Sequence, residues 1–161
     1  MKSAAKGGFT TVMCMPNTIP VIDNRSIAEL VMSEARRIGL INVFPIGAIT
    51  KGQNNEELTD MFELKDAGCK ALSDDGKCVT NSRLMRLAFE YAQMVGIPLI
   101  QHCEDHNLSA GSVMNEGINS TLLGVKGDPG LSESIIVARD IELANYLNGQ
   151  IHFAHMSLKR S

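Results

Sequence analysis

Asn81–Asp105 reads NSRLMRLAFEYAQMVGIPLIQHCED, and its two halves follow different periods. Leu84, Leu87, Ala88, Tyr91, Ala92 and Val95 recur at three- and four-residue steps, the spacing of one apolar helix face. Thr80 or Asn81 can cap that helix, and Gly96 can stop it. Ile97–Gln101 is short and apolar, which predicts a buried strand, and the run ends on His102. A helix feeding directly into a buried strand is half of a parallel α/β unit.

The same rhythm extends in both directions. Residues 1–6 read as the end of a helix. Phe9–Met13 is predicted as a strand, as are Val43–Ile49, Cys69–Ser73 and Gln150–His155. Helices are predicted from an Asn24 cap to Ile38, over Glu56–Ala67, and over Ser132–Leu147, stopped by Gly39, Gly68 and Asn148-Gly149. Residues 106–130 hold several glycines and little sustained periodicity, so they read as a long excursion with one short helix. Strands alternating with helices imply a parallel sheet with helical crossovers. Five such units fit an open doubly wound sheet or part of a (β/α)8 TIM barrel. A closed barrel takes about 250 residues, so 161 residues do not close one.

Composition narrows the classes. Apolar residues make up 44% of the chain, enough for a real core, but aromatics only 4% with no Trp. Aliphatic and Met side chains must therefore fill that core. The net charge is −3 and no basic cluster stands out, which argues against nucleic acid and anionic membrane as partners. No apolar run is long enough to span a bilayer. Cys14, Cys69, Cys78 and Cys103 form no Cys-x-x-Cys pair, and the N-terminus lacks the apolar core of a secretion signal. Reduced cysteines and a cytoplasmic location are the expectation.

Three strand ends carry groups that suit a metal. Asp75 follows Cys69–Leu72, His102 ends Ile97–Ile100, and His155 ends Gln150–Ala154. In a parallel barrel the chemistry gathers at the carboxyl ends of the strands, so one carboxylate and two imidazoles can converge there. These are suitable zinc ligands, and catalytic zinc often has three protein ligands plus water. Singly, each residue has an ordinary explanation, since a strand-end Asp often caps the next helix and a lone His is usually just hydrogen-bonded. Asn17, in Met15-Pro16-Asn17-Thr18, offers an amide suited to a substrate with carbonyl and N–H groups, though Pro-Asn is also plain turn chemistry. Glu104 and Asp105 are placed to orient a ligand or to cap the following segment. Strand alternation makes Cys103 a packing residue, sets His152 apart from His155, and directs His152 to the helix layer or solvent.

The motifs together resemble a known family. Gly7-Gly8-Phe9-Thr10-Thr11-Val12 running into Met15-Pro16-Asn17-Thr18 is similar to dihydroorotases of the bacterial type I class, in the amidohydrolase superfamily. So are Ser73-Asp74-Asp75-Gly76, His102-Cys103-Glu104-Asp105, Asn115-Glu116-Gly117, Ala138-Arg139-Asp140 and His155-Met156-Ser157. The resemblance implies a zinc-dependent (β/α)8 barrel that reversibly interconverts dihydroorotate and N-carbamoyl-L-aspartate in pyrimidine biosynthesis. It implies that Asp75 is shared between two zinc ions, that His102 and His155 complete one of them, and that Asn17 binds substrate. Hydantoinases and allantoinases usually carry a carboxylated lysine where Asp75 stands, so they are the less fitting relatives.

The family's His-x-His pair, its substrate-gripping Arg and its acid/base Asp have no counterpart among these residues. The expectation is an internal fragment comprising barrel strands two to six, with one metal half-site and no catalytic acid/base of its own, the Asp being expected beyond residue 161. A small-molecule substrate is expected, with a homo-oligomer or an association with aspartate carbamoyltransferase as candidate assemblies. A non-catalytic subunit supporting that transferase is the alternative reading of the chain.

Overall fold

A computed structural model describes all 161 residues. Five parallel strands form its centre: β1 (Thr11–Cys14), β2 (Asn42–Pro45), β3 (Leu72–Ser73), β4 (Leu99–Gln101) and, after two short strands described below, β7 (Ile151–Phe153). β1 pairs with β2, and β3, β4 and β7 pair in that order, all in parallel. The two ladders are joined just past β2. Lys70 N–H donates to Pro45 O at 3.2 Å, Gly47 N–H to Ala71 O at 3.1 Å, and Ser73 N–H to Gly47 O at 2.8 Å. The strands thus lie side by side in chain order, as consecutive β-α-β units place them.

The helices are set by their caps. α1 (Lys2–Lys6) precedes β1. α2 (Arg25–Ile38) starts where the Asn24 side chain accepts from Ile27 N–H at 3.3 Å, and ends on Gly39 at φ 62°. α3 (Met61–Asp66) begins later than the predicted Glu56, because Asp60 caps it by accepting from Glu63 N–H at 2.9 Å. Residues 51–53 instead form a short 3-10 turn, and Thr50 bridges Leu58. α4 (Ser82–Val95) matches its periodicity; Asn81, not Thr80, is the cap, accepting from Arg83 and Leu84 N–H at 3.0 and 3.1 Å. The stretch 106–130 is more ordered than predicted. It contains α5 (His106–Ser109), β5 (Met114–Asn115), α6 (Ile118–Leu123) and β6 (Gly127–Asp128), with β5 and β6 paired in parallel. Elements of two to six residues are too short to leave a periodic signature. α7 (Leu131–Leu147) closes the helix set.

The core is divided between the two faces of the sheet. Alternate strand residues point to opposite faces. Leu72 and Leu99 join a cluster of 17 buried residues with α3 and α4, including Leu64, Met85, Ala88 and Phe89. The opposite face carries only Ile46, Ala71, Ile100 and Ala154, with Met15 packed against them. A third small cluster, Cys78, Cys103, Ile136 and Val137, seats α7. No helix is long and apolar enough to cross a membrane.

Candidate metal centre

Asp75, His102 and His155 meet at the carboxyl ends of β3, β4 and β7. His155 Nε2 lies 3.1 Å from Asp75 Oδ1 and 3.1 Å from His102 Nδ1, and His102 Nδ1 lies 3.9 Å from Asp75 Oδ1. All three donor atoms fall within 4.8 Å of one another. Tetrahedral zinc bonded at about 2.0–2.1 Å spaces its ligand atoms roughly 3.3 Å apart, so the three groups fit such an ion with little movement. Asp75 and His102 are largely buried, whereas His155 is exposed on one side.

Each residue reaches this point by a different route. Asp75 and Ala71 are an even number of residues apart, which puts Asp75 on the thinly packed face; Asp74, one step away, points the other way. Its buried carboxylate accepts from Ile49 N–H at 2.8 Å, Thr50 N–H at 3.1 Å and the Thr50 hydroxyl. Gln53, also buried, donates to Asp75 O at 3.1 Å. The loop after β2 therefore fixes the backbone on which Asp75 sits. His102 follows Ile100 by two and shares its face.

His155 does not arrive by alternation. His152 is in register with Ile100, so it lies on the Ile100 and Ala154 face, where it is exposed to solvent. Regular strand geometry would then turn His155 to the helices. Instead its backbone is left-handed, with φ 36°, and the ring swings into the cluster. Such a conformation is uncommon outside glycine and costs about 1–3 kcal/mol when imposed.

The other candidates divide cleanly. Asn17 Nδ2 donates to Asp75 Oδ2 at 3.4 Å, which places Asn17 at the rim of the cluster. Glu104 orients the His102 ring: His102 Nε2–H donates to Glu104 Oε2 at 2.8 Å. An ionised carboxylate can only accept, so Nε2 carries a proton; in the neutral ring the Nδ1 lone pair then faces Asp75 and His155, the carboxylate–histidine arrangement typical of metal sites. Burial pushes the Glu104 carboxyl up, but hydrogen bonds from Ser109 and His102 outweigh it and hold the group below its usual range. Asp105 is the cap, accepting from Asn107 N–H at 2.9 Å. Cys103 is buried, and burial pushes its thiol up to about 12, so it packs as a neutral side chain. Replacing Glu104 with Ala should weaken zinc binding about 10- to 100-fold while the melting temperature moves little, read by competition with a chromophoric chelator. Unchanged affinity would mean that Glu104 does not set the His102 tautomer.

His102 and His155 also line a cleft of about 370 Å³ with Asn115, Glu116, Asp128 and Ser157. Asp74, Gln53 and Thr50 were not singled out in the sequence. The Asp74-Asp75 doublet at a strand end was the available signal, since neighbouring residues there must face opposite sides.

The profile of the dihydro-orotase-like family matches residues 1–161. The chain belongs to that family. It is 53% identical over 156 residues to a dihydroorotase of Pelobacter propionicus, covering 97% of this chain and 37% of that one. The dihydroorotase of Acetivibrio thermocellus is 53% identical over 159 residues, covering 99% and 37%, and that of Citrifermentans bemidjiense 55% over 156 residues, covering 97% and 37%. The chain thus spans little more than a third of the length of these curated relatives. Among solved structures, the L-hydantoinase (dihydropyrimidinase) of Arthrobacter aurescens superposes with a TM-score of 0.71 at 17% identity, over 97% of this chain and 36% of that one. A D-hydantoinase superposes with a TM-score of 0.64 at 17% identity, over 99% and 36%. The hydantoinases share the fold of this dihydro-orotase-like chain.

Proposed function

We propose that the chain is the part of a zinc-dependent dihydroorotase barrel that carries strands two to six, and that the parent reaction is the reversible opening of dihydroorotate to N-carbamoyl-L-aspartate. The observation carrying this reading is the convergence of Asp75, His102 and His155 within 4.8 Å in a chain about half identical to dihydroorotases. In this reading residues 1–161 are one partial barrel domain, and Ile46, Ala71, Ile100 and Ala154 form one layer of its interior.

Asp75, His102 and His155 would hold zinc, and on the resemblance Asp75 would be shared with a second ion. Cobalt and manganese suit the same donors. When bound, zinc lowers the pKa of water toward neutrality and polarises a carbonyl. The chain's residues prepare that chemistry. Glu104 keeps the His102 proton on Nε2. Asn17, beside Asp75, can donate to a substrate carbonyl and accept from a ring N–H. The small cleft next to the histidines suits a cyclic amide of dihydroorotate size. Retention of all three metal-binding groups favours an enzyme over a metal-free supporting subunit of aspartate carbamoyltransferase. A homo-oligomer or a complex with that transferase, acting in the cytoplasm, accords with this reading.

The chain contains no His-x-His pair and, on the resemblance, no acid/base Asp. General acid–base catalysis contributes about 10²–10⁴-fold, so these residues alone should show at most about 1% of a complete dihydroorotase's turnover. Substituting them for the matching segment of the Pelobacter propionicus dihydroorotase should restore interconversion of dihydroorotate and carbamoyl-aspartate, with no turnover of hydantoin or allantoin. A folded chimera that prefers hydantoin, or that turns over nothing, would contradict the assignment.

A further inference from the structure

The geometry points to Glu133 as the positioning residue for His155. The inference rests on the metal reading above, because positioning His155 matters to function only if His155 is a ligand. Glu133 lies in the first turn of α7, remote in sequence from the histidine. Its Oε2 accepts from Ser157 N–H at 2.9 Å and from the Ser157 hydroxyl at 2.7 Å, and its Oε1 accepts from Leu158 N–H at 3.2 Å. One carboxylate thereby fastens both residues that follow the His155-Met156 step to the start of α7. The Leu158 side chain closes the same contact over Gly130, where a Cβ would sit only 2.9 Å from Leu158 Cδ1.

The need for such a tether comes from His155 itself. Its left-handed backbone, φ 36°, is what takes the ring out of the strand's alternation and beside Asp75 and His102. Strained backbone of this kind persists only where its surroundings over-determine it. On its amino side His155 is held by the ladder, with Ala154 N–H donating to Gln101 O at 3.1 Å. On its carboxyl side the hydrogen bonds are those to Glu133. Burial raises the Glu133 carboxyl, but the hydrogen bonds from the 157–161 segment prevail and hold it below its usual range, as expected of an anion that is already fully engaged.

A purely structural role is available to Glu133, since an acidic residue in the first turn of a helix is favourable there. Ser157→Ala separates the two roles, because it removes one arm of the tether and leaves α7 intact. The test measures zinc affinity by chelator competition, hydrogen exchange of the Ser157 and Leu158 amides, and melting temperature for wild type, E133A, E133Q and S157A. E133A should bind zinc about 10- to 100-fold more weakly and lose protection at both amides. S157A should lose about fivefold, the effect of one hydrogen bond, with an unchanged melting temperature. E133Q, which still accepts at one oxygen, should recover part of the loss. Wild-type affinity in E133A would overturn the proposal; if E133A does not fold, wild-type affinity in S157A would do so. A wild-type chain that takes up no zinc, yet loses Ser157 protection in E133A, would remove the metal reading and leave the tether standing.

Discussion

Asp75→Ala should lose more than about 100-fold in zinc affinity, beyond what removal of an outer partner such as Glu104 costs. Asp75 is the only carboxylate in the three-group cluster, and its Oδ1 stands 3.1 Å from His155 Nε2 and 3.9 Å from His102 Nδ1. Without it two imidazoles remain, with no anionic donor at the ion and no third donor. Asp75→Asn keeps the shape and one oxygen donor, so it should fall between wild type and Ala. The loss should come without unfolding, because Asp75 contributes no atoms to the buried clusters. Chelator competition gives the affinity and calorimetry gives the melting temperature. An affinity for D75A within threefold of wild type would show that the metal is held elsewhere.

Asp74→Ala should have the opposite profile, a large loss of stability at a residue that touches no metal. Its fully buried carboxylate accepts from Ile49 N–H, Thr50 N–H and the Thr50 hydroxyl. Alanine leaves these donors unpaired, at about 1–3 kcal/mol for each buried group. Removal of a desolvated charge offsets part of that, giving a net cost of about 3 kcal/mol. Burial raises the Asp74 carboxyl above its ordinary value despite its three donors. A raised folded pKa means that the protonated group favours the fold. That contribution is complete below the unfolded pKa, about 3.9, and is lost as pH rises through the folded value. The D74A deficit should therefore be larger near pH 4 than near pH 7. Urea titrations at both values check the size and the trend, and a deficit below about 1 kcal/mol would mean that the Asp74 loop relaxes to satisfy its own donors. Since this loop also supports Asp75 through Gln53, D74A should weaken metal binding as a secondary effect.

These two neighbours show how far the sequence could be read. The helical spacing of Leu84–Val95 and the apolar run Ile97–Gln101 were enough to place α4 and β4, because a long periodic face and a buried strand are dictated by burial alone. Asp75, His102 and His155 were legible as strand-end groups, and the structure brings them together. The start of α3 lies at Met61 rather than Glu56 because the Asp60 side chain caps the helix there. The small elements in 106–130 were too short for any period to register. His155 shows a subtler limit. Alternation separates it from His152, but the face it takes depends on one left-handed backbone angle held by contacts distant in the chain. Glu133 and Asp74 were invisible as supports for the same reason: each acts on a backbone segment far from it in sequence, and nothing in local composition records that.

The central claim is that one carboxylate and two histidines hold a metal ion at these strand ends. Zinc-edge X-ray absorption on the chain loaded with one equivalent of zinc tests it most directly. The account predicts a low-coordinate N/O site with two imidazoles, at about 2.0–2.1 Å, reduced to one imidazole in His155→Ala. A sulfur ligand at about 2.3 Å, or a spectrum unchanged by H155A, would contradict it.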